Sequence, residues 1–81
     1  MTDADFAAIQ AAFPTVKRLG RQVVGWDASL WSIYAVGGRW MAAHVCYESI
    51  TRTSLPDCLT ALRAAIVAER DQLNKIIGEV P

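Results

Sequence analysis

The stretch "WSIYAVGGRWMAAHV", residues 31–45, contains two short apolar runs joined by a Gly-Gly pair. Trp, Ile, Tyr and Val are typical of β-strands, and two glycines can adopt the positive φ angles that a tight two-residue hairpin requires. This turn sets the register, in which Val36 faces Arg39 and Trp31 faces His44. The stretch therefore predicts an antiparallel β-hairpin.

Side chains of the predicted hairpin alternate between two faces. The inner face of the hairpin has one ionisable group and two central alanines that leave room for a helix, so we expect it to form the core: Trp31, Ile33, Ala35, Trp40, Ala42 and His44. The outer face of the hairpin then meets solvent, and it consists of Leu30, Ser32, Tyr34, Val36, Arg39, Met41, Ala43, Val45 and Tyr47. Aromatic residues, Met and Arg are enriched at protein interfaces. The candidate partner-binding residues are Tyr34, Val36, Arg39, Met41 and Tyr47.

A helix is predicted on each side of the strand region. Thr2 and Asp5 form a capping signal for the first helix, whose apolar residues recur at helical spacing up to Pro14: Phe6, Ile9 and Phe13. Ser54 and Asp57 cap the second, whose apolar stripe is Leu55, Leu59, Leu62, Ile66, Leu73 and Ile76 or Ile77. Gly78 is placed to end the second helix, and its solvated side is predicted to hold Glu69, Arg70, Asp71 and Lys75.

A further strand, "QVVGW" at residues 22–26, precedes the hairpin, while residues 15–21 and 49–54 are predicted to be loops. The element order is thus α-β-β-β-α. We predict an α+β fold, a single domain over residues 1–81, in which a three-stranded antiparallel sheet carries both helices on one face. The face of Trp26 is left open, because the turn before the hairpin fits two or three residues and a slip of one reverses every side chain.

The composition limits the classes of partner. The chain has 81 residues, of which 53% are hydrophobic, and its eight Lys and Arg balance eight Asp and Glu. This is too apolar for disorder, while no apolar run approaches the roughly 20 residues that cross a bilayer. The N-terminal residues lack the pattern of a secretory signal, so we expect a cytoplasmic protein with reduced thiols. Cys46 and Cys58 are accordingly predicted to be small buried hydrophobes.

Few residues suggest chemistry. His44, Cys46 and Cys58 lack the paired spacing of zinc ligands. His44 and Cys46 would share one side of a strand, but no third residue that would orient a nucleophile pair is evident. The Gly-Gly pair is followed by a strand and not by the helix of a phosphate site. We predict no catalytic residues, metal or cofactor, and a buried His44 that is satisfied by a backbone group.

Basic residues support an alternative interpretation. Lys17, Arg18 and Arg21 lie close together, and with Arg39 and Arg52 they can contact phosphates, although a solvated loop is the simpler interpretation. The α-β-β-β-α order resembles the double-stranded RNA-binding domain, which implies RNA contacts from a basic cluster at the start of the last helix. Here that position reads "SLPDCLTALR", residues 54–63, with Arg63 as its one basic residue.

Two further resemblances concern general character. The stretch "SLPDCLTAL" after a hairpin resembles the antitoxin half of small toxin-antitoxin pairs. A short Ala-rich chain without a catalytic motif is similar to small phage or mobile-element proteins, including anti-CRISPR inhibitors, which implies a bacterial defence complex as partner. We therefore expect a non-enzymatic protein-binding module, present as a monomer or homodimer. The alternative is a small nucleic-acid-binding domain.

Overall fold

The computed structural model describes residues 1–26 and 30–76, with side chains as far as Asp71. In chain order the elements are α1 (Asp3–Ala12), β1 (Lys17–Arg18), β2 (Val23–Gly25), β3 (Trp31–Val36), β4 (Arg39–His44), β5 (Ile50–Arg52) and α2 (Leu55–Ile76). The described strands form one antiparallel sheet in the order β1-β2-β3-β4-β5. The predicted α+β fold, with a helix before and after an antiparallel sheet, is confirmed.

The central hairpin has the predicted register. Its pairs are Trp31 with His44, Ser32 with Ala43, Ile33 with Ala42, Tyr34 with Met41, Ala35 with Trp40 and Val36 with Arg39. The turn glycines have positive φ angles, 56° at Gly37 and 77° at Gly38. Other residues rarely adopt this conformation, which is why the Gly-Gly pair specifies both the turn and the register.

The sheet has five strands, so the prediction of three was wrong. Lys17–Arg18 was expected in a loop but forms β1 against β2, and Ile50–Arg52 was expected in a connection but forms β5 against β4. Strands of two or three residues are too short to show an alternating pattern. They exist because a longer neighbouring strand offers unpaired N–H and C=O groups at the sheet edge.

Both predicted helix caps are present. The Thr2 hydroxyl accepts a hydrogen bond from the Asp5 N–H at 3.1 Å, and the Asp5 carboxylate accepts one from the Thr2 N–H at 3.0 Å. At α2 the Ser54 hydroxyl accepts from the Asp57 N–H at 3.3 Å. Each cap satisfies donors that the first helical turn leaves unpaired. None of the described helices is long and apolar enough to cross a membrane.

The core lies between the helices and the inner face of the hairpin, as predicted. Its buried residues are Ile9, Val16, Val24, Trp31, Ile33, Ala42, Leu55, Cys58 and Leu62. Trp26 packs at its edge, with its ring 5.3 Å from that of Phe13. Cys58 is buried as predicted, whereas Cys46 is exposed because β4 ends at His44. The predicted roles of Leu73, Lys75, Ile76, Ile77 and Gly78 lie outside the described side chains.

Candidate functional site

The side of the sheet opposite the core is continuous across all five strands. Residues that pair across neighbouring strands share a face of the sheet. Lys17 pairs with Gly25, Gly25 with Ser32 and Ser32 with Ala43, so these four residues lie on one side. We call this side the open sheet face; it comprises Lys17, Leu19, Val23, Gly25, Ser32, Tyr34, Val36, Arg39, Met41, Ala43 and Thr51. The buried residues of α1 and α2 lie on the opposite side.

Four of the five predicted partner-binding residues lie on the open sheet face. Val36 is 54% exposed and Arg39 is exposed, while Tyr34 and Met41 are half-buried and directly paired across β3 and β4. The four residues therefore form one contiguous patch at the turn end of the hairpin.

Tyr47 is not part of that patch. The alternation that predicted it on the outer face of the hairpin stops where β4 ends at His44, and the chain then bends. The Tyr47 ring instead lies 4.5 Å from the His44 ring and stacks on Trp31 at 6.3 Å, both of which are residues of the inner face. Its assignment to the same surface as Tyr34 was wrong.

The open sheet face also holds apolar residues that the sequence analysis missed. Leu19 is 62% exposed and lies over Gly25, where an added Cβ atom would be 2.8 Å from Leu19 Cδ1. Val23 pairs with Tyr34 and extends the apolar surface to β2. Because β1 and its turn carry no strand periodicity, the sequence offered no signal for Leu19, while Val23 lay in the predicted strand 22–26, which had not been assigned to a face.

The structure does not bring the predicted basic residues together. Arg18 turns toward α1, where it donates to Asp3 Oδ1 at 2.7 Å and to the Met1 carbonyl at 3.0 Å. Arg52 pairs with Trp40 and so belongs to the helix side of the sheet, and Arg21 is exposed in the turn between β1 and β2.

The remaining basic positions are equally scattered. Lys17 and Arg39 share the open sheet face but are three strands apart, a lateral separation of about 14 Å. Arg63, the one basic residue in the stretch 54–63, is the ninth residue of α2. It donates to the Ala12 carbonyl at 2.9 Å and lies over the Phe13 ring.

A second cluster occupies the edge of the core, where β3 and β4 meet α2. The His44 side chain is 5% exposed, and its Nδ1 accepts a hydrogen bond from the Cys46 N–H at 2.9 Å. The prediction of a buried histidine satisfied by a backbone group is confirmed. Trp31 Nε1 donates to Glu69 Oε2 at 3.2 Å, and Glu69 Oε1 lies 4.0 Å from His44 Nε2. The prediction that Glu69 lies on a solvated helix face was therefore wrong. Glu69 is half-buried against the sheet.

Beside this cluster is a cavity of about 300 Å³, which we call the acidic cavity. Its lining combines two aromatic rings, two carboxylates and three small or aliphatic side chains: Trp31, Tyr47, Glu48, Ile50, Ala65, Ala68 and Glu69. This cavity was not predicted from the sequence. Its one signal was the break that Glu69 makes in the apolar stripe of α2.

Metal-ligating groups are not clustered in the described ranges, where no three His, Cys, Asp or Glu residues are placed to hold an ion. The Cys58 thiol is enclosed by the core, and this burial raises its pKa, with the charge of Arg52 acting in the opposite direction. Cys58 is consequently held as a neutral thiol.

Comparison of the chain with protein-family models, with curated proteins and with solved structures found no match. The chemistry and geometry of the residues themselves are therefore the basis on which its function is inferred.

Proposed function

We propose that the protein is a non-enzymatic binding module that uses the open sheet face to cover a surface of a partner protein, as an inhibitor or accessory factor of a host complex such as a bacterial defence assembly. The observation that carries this proposal is the contiguous apolar and aromatic patch on the side of the sheet away from both helices. At its centre Tyr34 pairs with Met41, beside Val36. Aromatic, Met and Arg side chains are the types that most often supply binding energy at interfaces.

The charge of the open sheet face defines the partner. Arg39 borders the apolar patch, and the described strand residues of this face include no Asp or Glu. A complementary surface would be apolar at its centre with carboxylates at its rim. A second copy of the chain fits less well, because the described strand residues of its open sheet face offer Arg39 no carboxylate. We therefore favour a different protein over a homodimer.

The dispersion of the basic residues supports protein over nucleic acid. Phosphate contacts need several cations along one surface. Arg18 is paired with Asp3, and Arg52 lies on the helix side of the sheet. A backbone-tracking groove cannot be assembled from the remaining exposed cations in the described ranges.

The test begins with capture of partners from bacterial lysate by immobilised protein and by two variants, Tyr34→Ala and Arg39→Glu. We expect at least one protein to be retained by the unmodified chain and lost with both variants. In a titration with that protein, each variant should weaken binding by about 1 kcal/mol or more. Affinity should change little between about 50 and 200 mM NaCl, whereas nucleic-acid binding would fall steeply.

The matched control is Val67→Ser, at a position of α2 that is 40% exposed and away from the open sheet face. It should retain the same protein with unchanged affinity. Equal binding by the Arg39→Glu variant and the unmodified chain would contradict the proposal, and so would retention of nucleic acid that the variant abolishes.

A further inference from the structure

The acidic cavity has the composition of a site for an organic cation, and it lies apart from the open sheet face. We propose that it binds a guanidinium group, as carried by an arginine side chain. The proposal depends on three features of its lining: aromatic rings, oriented carboxylates and small apolar side chains. It does not depend on the proposed function.

The aromatic part of the lining is preassembled. The rings of Trp31 and Tyr47 are inclined by 22° with centroids 6.3 Å apart, and the His44 ring contacts both, at 4.9 Å and 4.5 Å. Tyr47 is 53% exposed whereas Trp31 is only 4% exposed, so a ligand reaches this cluster from solvent through the Tyr47 ring. Guanidinium groups stack on such aromatic surfaces and are attracted by their negative faces.

The carboxylate of Glu69 is held in place by the sheet. Its Oε2 accepts from Trp31 Nε1 at 3.2 Å, and its Oε1 lies 4.0 Å from His44 Nε2. Glu48 supplies a second carboxylate to the same lining. Within the described side chains no Lys or Arg forms an ion pair with either glutamate. A cationic ligand would complement both charges, and each oxygen of Glu69 keeps a lone pair that can accept a hydrogen bond.

The apolar part of the lining favours guanidinium over ammonium. Among the described side chains, Ile50, Ala65 and Ala68 form the rest of the wall, and alanine at two helical positions leaves space for a ligand stem. A volume of about 300 Å³ lies at the lower end of the range for small-ligand sites. Guanidinium is more weakly hydrated than ammonium and presents several donors in one plane, so less hydration is lost on entry into a partly apolar site.

The experiment is an NMR titration with three tripeptides, Gly-Arg-Gly, Gly-Lys-Gly and the neutral Gly-citrulline-Gly. The reporter is the indole N–H signal of Trp31, which is assigned by a Trp31→Phe variant and which hydrogen-bonds Glu69. We expect saturable shifts with a millimolar Kd for the arginine peptide, because only a few of its atoms contact the cavity. The lysine and citrulline peptides should bind at least about tenfold more weakly. Ethylguanidine is a fourth probe. If it binds as tightly as the arginine peptide, the ligand is a small guanidinium compound, and if it binds more weakly, the ligand is a peptide side chain.

Two variants localise the effect. Glu69→Gln removes the oriented charge, and Ala68→Leu fills the cavity from an exposed helix position, where we expect folding to be preserved. Each should weaken arginine binding about tenfold or more. The matched control, Asp71→Asn, removes an exposed carboxylate two residues along α2 and should change Kd less than about twofold. No saturable shift, equal binding of lysine or citrulline, or a Kd unchanged by Ala68→Leu would each overturn the proposal.

Discussion

Glu69 shows how a single polar residue can be accommodated at the edge of an apolar core. A half-buried carboxylate is costly unless donors meet it. Here the Trp31 indole N–H donates to one oxygen of Glu69, and His44 lies near the other. These two residues of the sheet therefore partly compensate the cost of burying the carboxylate charge. Glu69 also lines the acidic cavity. A break in an apolar helical stripe can therefore indicate a polar contact with the opposing element.

The two cysteines provide a test of burial at single positions. Cys46 is exposed, whereas Cys58 is fully buried and its pKa is raised by that burial. Only the thiolate reacts with disulfide reagents, so we expect one thiol to react rapidly in the native protein at about pH 8 and the second only in denaturant. Cys46→Ser should abolish the fast phase and Cys58→Ser should leave it unchanged. Two thiols released only by reductant would contradict both assignments.

Asp5 contributes a pH-dependent term to stability. The hydrogen bond from the Thr2 N–H lowers the pKa of its carboxyl below the ordinary value of 3.8, so folding favours the ionised form. This contribution is present above the unfolded-state pKa and is lost as pH falls through the lower folded-state pKa. Urea titrations should show Asp5→Asn less stable than the unmodified chain by about 0.5 kcal/mol at pH 7.

At about pH 2 that difference should vanish, because both proteins then carry a neutral side chain at position 5. A gap that persists in acid would show that the Asp5 contact does not depend on its charge.

At the scale of the element, α2 combines local and tertiary determinants. Its start is encoded locally by the Ser54 cap, while its burial depends on apolar positions that meet the sheet. The end of α1 is completed by α2 itself, because Arg63 donates to the Ala12 carbonyl and covers Phe13. The two helices are therefore joined by a polar contact as well as by the core.

Leu62 tests how much of the stability depends on the buried face of α2. It is fully buried, and its replacement by Ala should lower the free energy of unfolding by about 2 to 5 kcal/mol through lost burial and a residual cavity. Val67→Ala, at a position 40% exposed on the same helix, should change it by less than about 0.5 kcal/mol. Urea unfolding followed by tryptophan fluorescence measures both. Equal midpoints for the two variants would show that the buried face of α2 has been assigned incorrectly.

The sheet separates two different surfaces of the molecule. Both helices pack on one side, where they form the core and leave the acidic cavity at its edge. The other side keeps an apolar patch in contact with solvent. Such an exposed apolar patch lowers the stability of an isolated small domain only slightly, but it offers apolar surface that a partner protein can bury.

This two-sided arrangement predicts opposite responses from Trp40 and Val36. Trp40 lies on the inner face of the hairpin and packs against the core, so Trp40→Ala should cost about 3 kcal/mol of stability. Val36 is 54% exposed on the open sheet face, and Val36→Ala should leave the melting temperature almost unchanged. Tyr34→Ala and Met41→Ala should fall between these limits, because both residues are half-buried like Trp40 but do not pack against the core. A tolerant Trp40 with a sensitive Val36 would mean that the hairpin is oriented the other way.

Local patterns in the sequence predicted the hairpin, its register, the caps at Thr2 and Ser54, and the buried side of the strands. In each case the signal lies in a few neighbouring residues, namely two glycines, a capping pair or an alternation over six residues. The open sheet face could be predicted through Tyr34, Val36, Arg39 and Met41 for the same reason. Alternation of apolar and polar residues can be recognised in the sequence wherever a strand is long enough to repeat it.

Three features depend on tertiary contacts: the presence of the edge strands, the position of Tyr47 and the hydrogen-bond partner of Glu69. β1 and β5 have two and three residues, and they are strands because β2 and β4 pair with them. Tyr47 lies beyond the end of β4, where alternation no longer determines its face. Glu69 meets Trp31, which is 38 residues earlier in the chain. The features that depend on neighbouring residues, namely the hairpin, its register and the helix caps, could therefore be predicted from the sequence. The acidic cavity could not, because its described lining comes from three separate segments that meet only in the folded chain.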